Sequence, residues 1–178
     1  GTATITYVAD DGNRTATNSF TFTVTAVNDP PEFTLSTNTV VLGEDGGLQS
    51  MAVFLTGIAS GPTNESSETN FFVVTTTNTA FFSVQPAISP AGNLTFQSAT
   101  NVHGTNVVSI VMWDNGGTNN GGVNQSTLQT FNIIVTNIND APSLSGLAAF
   151  AIHEDASTNA AFTVIDVDTD QGSVTVTA

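Results

Sequence analysis

Apolar and polar residues alternate along most of this chain with a period of two. The clearest runs are Ser19-Phe20-Thr21-Phe22-Thr23-Val24-Thr25 and Thr130-Phe131-Asn132-Ile133-Ile134-Val135-Thr136. Alternation of this kind marks a strand with one buried face. Ile5, Tyr7 and Ala9 alternate with Thr4, Thr6 and Val8, and the turn Asp10-Asp11-Gly12-Asn13 leads back into Phe20, Phe22 and Val24, which predicts a hairpin. Further strands are predicted at Glu32–Ser36, continued past a kink by Thr39–Leu42, and at Met51–Ala59, Asn70–Thr76, Phe81–Val84, Leu94–Gln97, Asn106–Trp113 and Thr127–Asn137. In Asn106–Trp113 the residues Val108, Ile110 and Met112 share one face. Leu144–Ile152, Ala161–Ile165 and Ser173–Thr177 begin the pattern again. Glycine- and asparagine-rich turns separate these runs and no window carries a helical period, so the pattern predicts two-sheet β-sandwiches.

The same sentence is written twice in this sequence. Ala26-Val27-Asn28-Asp29-Pro30-Pro31 follows one strand and Asn137-Ile138-Asn139-Asp140-Ala141-Pro142 follows another. Proline removes a backbone donor and drives the residue before it towards extended geometry, so each strand stops and the chain leaves straight. The interval from Glu44 to Glu154 matches that from Asp29 to Asp140 within a residue. These junctions divide the chain into residues 1–29, the last strands of one repeat; residues 30–142, a whole repeat; and residues 143–178, the first strands of another. About one unit per 100 residues fits an Ig-type sandwich. The chain opens inside a strand pattern and reads as an internal piece of something longer.

Charge narrows the function. Among 178 residues there are 15 acids and one base, Arg14, for a formal net charge of -14. Nucleic-acid binding needs cations against phosphate, so no nucleic-acid partner is expected. An anionic membrane surface is equally disfavoured, and no transmembrane run is present in this segment. The acids come in clusters: Asp10-Asp11, Glu44-Asp45, Glu65 with Glu68, Glu154-Asp155 and Asp166/Asp168/Asp170. Clustered carboxylates repel unless protonated or bridged by a cation. Hard oxygen ligands, in a chain without cysteine, point to calcium over zinc, copper or iron–sulfur.

The Asn-Asp-x-Pro junctions at 28–31 and 139–142, the Glu-Asp pairs at 44–45 and 154–155, Asp-x-Asp at 166–168, and Asp-Gly or Asp-Asn-Gly at 11–12 and 114–116 occur in a repeating order. On these motifs all three segments resemble the cadherin-like, Ig-fold tandem repeats of giant bacterial surface proteins and adhesins. The resemblance implies an all-β fold of tandem Ig-like (cadherin-like) antiparallel β-sandwiches in a linear array. It also implies calcium (Ca2+) at the junctions and no enzymatic activity. Carried over by loop position, the Asp140 junction gathers Glu44, Asp45, Asn139, Asp140, Asp166, Asp168 and Asp170. The Asp29 junction gathers Asn28, Asp29, Asp114, Glu65 and Glu68. Asp11 and Glu154 take the matching places in the flanking repeats. One departure stands out: where the third segment has Asp166-Val167-Asp168, the middle one has Gly57-Ile58-Ala59 and then an inserted loop carrying Glu65 and Glu68.

The expected function is a structural segment of an extracellular fibre, surface layer or adhesin stalk at the cell surface. Its partners would be neighbouring repeats of the same chain, other copies in a filament or layer, and a cell-surface or glycan ligand. The alternatives are a carbohydrate- or protein-binding sandwich module and a non-catalytic arm of a secreted enzyme. Each acid also has a plainer reading as a solvated turn residue. His103 and His153 stand alone, Trp113 suits packing better than sugar stacking, and no nucleophile elbow, triad or phosphate loop is present.

Overall fold

A computed structural model describes residues 1–146, 148–149, 151–168 and 174–176. The fold is all-β. The first hairpin is β1 (Thr2–Asp10) with β2 (Thr15–Thr23), and it is followed by β3 (Glu32–Leu35), β4 (Thr39–Gly43), β5 (Gln49–Met51) and β6 (Leu55–Ala59). Next come β7 (Asn70–Thr76), β8 (Phe82–Ile88), β9 (Leu94–Ser98), β10 (Gly104–Asp114), β11 (Gln129–Thr136), β12 (Ser143–Ser145) and β13 (Thr163–Ile165). The sheets are β4-β11-β10-β7, β5-β9-β8, and the pairs β1-β2, β3-β6 and β12-β13.

Two compact units interleave along the chain. One holds Gly1–Thr34, Gly57–Val73 and Val111–Thr127; the other holds Leu35–Thr56, Val74–Ile110 and Leu128–Ala178. In the second unit Val40, Phe54, Leu55, Leu94, Phe96, Val108, Ile110, Phe131, Ile133 and Val135 are buried, and Phe54 packs on Phe131 with ring centroids 4.7 Å apart. In the first, Phe33 meets Phe72 edge-on at 5.7 Å, and Met112 is fully buried.

The expected kink after β3 changes the sheet. β3 pairs with β6, whereas β4 runs parallel to β11, with Val40 opposite Ile133 and Leu42 opposite Val135. The ladder continues one step further, because Glu44 N donates to Thr136 O at 3.0 Å. That step delivers Glu44 to the end of β11.

The run Met51–Ala59 is not one strand. Phe54 and Leu55 are each 1% exposed, and consecutive residues of a strand point to opposite faces. The chain therefore breaks at Val53, which takes φ 54 and donates its N–H to Asn93 Oδ1 at 3.0 Å. Among the described residues of Leu144–Ile152, Leu144 and Ser145 pair with β13, as Ser143 before them does; Leu147 and Phe150 lie outside the described residues. Val174–Val176 carry no strand pairing, and Ser173 and Thr177 lie outside the described residues.

β10 sets the sites. Asn106, Val108, Ile110, Met112 and Asp114 alternate as its buried residues. The same period that buries the aliphatic row also turns the Asp114 carboxylate inward at its end.

Candidate functional site

Two groups of acidic and amide side chains form, one in each unit. In the first unit, the segment after β2 is stitched to the loop after β10. Val123 N donates to Asn28 O at 3.0 Å. The Asn28 amide uses both its hydrogens, donating to Asp114 Oδ1 at 3.0 Å and Val123 O at 2.7 Å. Gly116 N also donates to Asp114 Oδ1, at 2.9 Å. The inserted loop folds through a 3-10 turn at Thr63–Glu65, which buries Glu65 to 5% exposure. Its two carboxylate oxygens accept from Asp29 N at 3.2 and 3.3 Å. Glu68 follows, its N–H donating to Glu65 O at 2.9 Å, and Thr69 N donates to Asn115 Oδ1 at 2.8 Å.

What this arrangement leaves over matters most. Asn28 Oδ1, Glu68 Oε2 and Asp114 Oδ2 are buried with no hydrogen-bond partner. Burial, then Asp114, then Glu65 push the Glu68 carboxyl above its ordinary range. The space over Gly116 is filled by oxygen: a Cβ there would collide with Asn28 Oδ1 and come within 2.7 Å of Glu68 Oε1. Gly116→Ala is therefore expected to cost about 1–3 kcal/mol by overpacking, read as a lower melting temperature. Gly61→Ala is expected to add backbone strain, because φ there is +154 and the new carbon would meet Glu65 Oε2.

In the second unit Glu44 is 3% exposed. Its Oε1 accepts from Ile138 N at 2.8 Å, while its Oε2 is buried without a hydrogen bond and lies 4.0 Å from His103 Nδ1. Asp140 N donates to Asp168 Oδ2, and Asp168 N donates to Asp166 Oδ1 at 3.0 Å. Asp45, at φ 56, accepts from Asn101 N at 3.2 Å. Burial, then Asp168, Asp45, Glu44 and Asp166 in that order, raise the Asp140 carboxyl. The acids expected at this junction thus converge, Asp170 excepted, which lies outside the described residues.

Two asparagines complete the second group. With its amide nitrogen facing the acids, Asn137 donates to Glu44 Oε1 at 2.6 Å and to Asp168 Oδ1 at 2.8 Å. Asn101 in the same sense donates to Asp45 Oδ2 at 3.2 Å and Asp140 Oδ2 at 3.3 Å. In the opposite sense each amide oxygen faces only acceptors. Sequence reading did not select either residue. Asn137 sat in plain view two places before Asn139, where the upstream copy has Ala26. Asn101 carried no signal, being a positive-φ residue of the β9–β10 turn.

Other expected residues lie apart from these contacts. The Asp29 side chain is exposed, only its N–H engaging Glu65. Asn139 turns its amide to the Asp140 carbonyl at 2.8 Å. Asp11 accepts from Asn13 N and Arg14 N at 2.9 and 2.7 Å in the β1–β2 turn, and these bonds, Arg14 first, hold its carboxyl below the ordinary range. Glu154 is exposed in a turn closed by Ala156 N on His153 O.

Both groups are built mainly from carboxylate and amide side chains, and the chain has no cysteine. Among the described residues no group of three or more acids or histidines is placed to hold a metal ion. The carboxylate and amide oxygens left without hydrogen bonds are of the kind a hard cation takes as ligands.

The raised carboxyls fix a sign. A carboxyl with a higher pKa folded than unfolded binds its proton more tightly in the folded state, so stability falls as pH rises from the unfolded pKa through the folded one. For Asp140 and Glu68 that window opens at the ordinary 3.8 and 4.5 and extends upward. In chelator, the melting temperature is expected to fall across this window, with Asp11 acting oppositely below it. Saturating divalent cation should flatten the fall, and a pH series of melting curves in both buffers checks this.

No family model matches this sequence, and no curated protein sequence matches it. Among solved structures, the crystal structure of mouse protocadherin-24 EC1-3 is similar over 94% of this chain and 56% of its own length, with 16% identity and a TM-score of 0.46. The chain thus spans about half the length of that structure.

Proposed function

We propose that this chain is a structural segment of an extracellular string of Ig-like β-sandwiches, a fibre, surface layer or adhesin stalk, stiffened by calcium at its two acidic groups. In this reading residues 30–142 form one repeat, joined to neighbours at 1–29 and 143–178. The observation that supports it above all is the set of buried oxygens without hydrogen bonds: Asn28 Oδ1, Glu68 Oε2 and Asp114 Oδ2 in one group and, in the other, Glu44 Oε2, which has only His103 Nδ1 at 4.0 Å. Leaving a buried polar atom unsatisfied costs about 1–3 kcal/mol, and gathering several acceptors adds repulsion. With one Lys or Arg against 15 acids, side chains are far short of the balancing charge.

Asn28, Glu65, Glu68 and Asp114 would hold the ion in the first group, with Glu44, Asp45, Asn101, Asn137, Asp140, Asp166 and Asp168 in the second. A bound calcium supplies the positive charge that lets these oxygens face one another. The residues themselves do mechanical work. Glu65 grips the N–H of Asp29, Glu44 that of Ile138, and Asp168 that of Asp140. Each grip fastens a linker residue to a carboxylate, and each carboxylate repels its neighbours until neutralised. Short linkers with self-repelling acids flex; neutralised ones do not.

Among the described residues no helix is long and apolar enough to cross a membrane. Small-angle scattering of the 178-residue chain with calcium and with chelator tests the reading. A longer, narrower particle in calcium is expected, and superimposable profiles, together with no heat in a calcium titration, would sink it.

A further inference from the structure

The two groups balance their charge differently. Around Asn28 both amide hydrogens are spent, on Asp114 Oδ1 and Val123 O, and three oxygens remain partnerless. Around Asp140 two amides stand between four carboxylates. Asn137 stands between Glu44 and Asp168, and Asn101 between Asp45 and Asp140; of the two amide orientations, the one with nitrogen inward supplies a donor to both carboxylates of each pair. An amide group offers two donors on nitrogen and an acceptor on oxygen, related by a half-turn about one side-chain bond. Hydrogen bonds from an amide to an ionised carboxylate are among the stronger ones.

We propose that Asn137 and Asn101 act as a reversible latch. Without a divalent cation their N–H groups bridge Glu44 to Asp168 and Asp45 to Asp140. When a cation enters, each amide turns over and presents oxygen. The first step stands on the amide geometry alone; the second rests on the calcium reading above. The latch keeps Ile138 N on Glu44 Oε1 and Asp140 N on Asp168 Oδ2 whether or not a cation is present. The Asn28 group has no such device, so it loosens further in chelator. The two groups therefore differ in degree: calcium removal loosens the loop at 61–69 more than the 137–140 segment.

Backbone amide exchange of the intact chain, followed by NMR in EDTA and in calcium chloride, reads this directly. Ile110 in the core serves as an internal standard for global stability. In EDTA, wild-type Ile138 and Asp140 amides should be protected. Asn137→Asp removes the donor while keeping the shape and an oxygen, so in EDTA their protection should drop about tenfold or more, the scale expected for a lost charge-assisted bond. Calcium chloride should restore it, because the introduced carboxylate offers the oxygen the cation needs. A merely structural Asn137 would show the loss without the rescue. Asn101→Ser provides a second variant, expected to expose Asp45 and Asp140 to mutual repulsion and to lower protection at Asn101 N in EDTA.

Equal protection of Ile138 and Asp140 in the wild type and Asn137→Asp in EDTA would overturn the latch, whatever calcium does. Loss without rescue by calcium would overturn the turnover step. A wild type that takes up no calcium by titration calorimetry would defeat the calcium reading separately, while the EDTA comparison still decides whether the amides hold the acids together.

Discussion

Calcium at about one hundred times its dissociation constant should raise the melting temperature of this chain by roughly 5–11 °C for each group it fills. A ligand at that excess stabilises by about 2.7 kcal/mol, and in a domain of this size 1 kcal/mol moves the midpoint by roughly 2–4 °C. The effect should come mostly from the Asn28 group, where Asn28 Oδ1, Glu68 Oε2 and Asp114 Oδ2 are buried without partners. Asp114→Asn preserves shape and halves the negative charge that Asp114 and Glu68 place together, so it should remove most of that group's share of the shift and weaken binding. Melting curves in calcium chloride, magnesium chloride and EDTA check this. Magnesium, which keeps its waters and demands a tighter geometry, should give a smaller rise. Identical curves in calcium and EDTA would refute the effect.

A second large effect is expected in the core. Phe131 is 1% exposed and stacks obliquely on Phe54. Phe131→Ala should cost about 3–5 kcal/mol, through lost transfer energy and the cavity left behind, or roughly 6–20 °C in midpoint. Val41, on the neighbouring strand β4, is 62% exposed, and Val41→Ala should stay within about 0.5 kcal/mol. The contrast tests which face of the β4–β11 pair is buried. Similar losses for both would mean that the inward row was assigned to the wrong face.

Much of the fold and part of the site could be read from the residues. The period of two in Asn106–Trp113 predicts the buried row Val108, Ile110 and Met112, and carried one step further it places Asp114 inward. The repeated Glu-Asp and Asp-x-Asp motifs mark Glu44, Asp45, Asp166 and Asp168, which do meet Asp140. Periodicity speaks through local geometry, and local geometry is written in neighbouring residues. It failed at the first hairpin, where Phe20 and Phe22 are 54% and 55% exposed, and again where two long-range demands competed. Phe54 and Leu55 read as one apolar strand, yet both had to be buried, and the chain turned at Val53 to do it.

By itself the sequence determined the strand period, the turn chemistry, the excess of negative charge and the absence of any thiol. These follow from residue type and spacing, and no tertiary contact alters them. Only the tertiary structure decided which oxygens ended up partnerless and which amides stood between the acids. Asn101 reached Asp45 and Asp140 through a turn whose φ of 54 no motif announced, and Asn28 spent both its hydrogens on residues 114 and 123. The reason is that hydrogen-bond satisfaction is a count over everything within about 3 Å, and most of what lies that close to a buried side chain comes from distant parts of the chain.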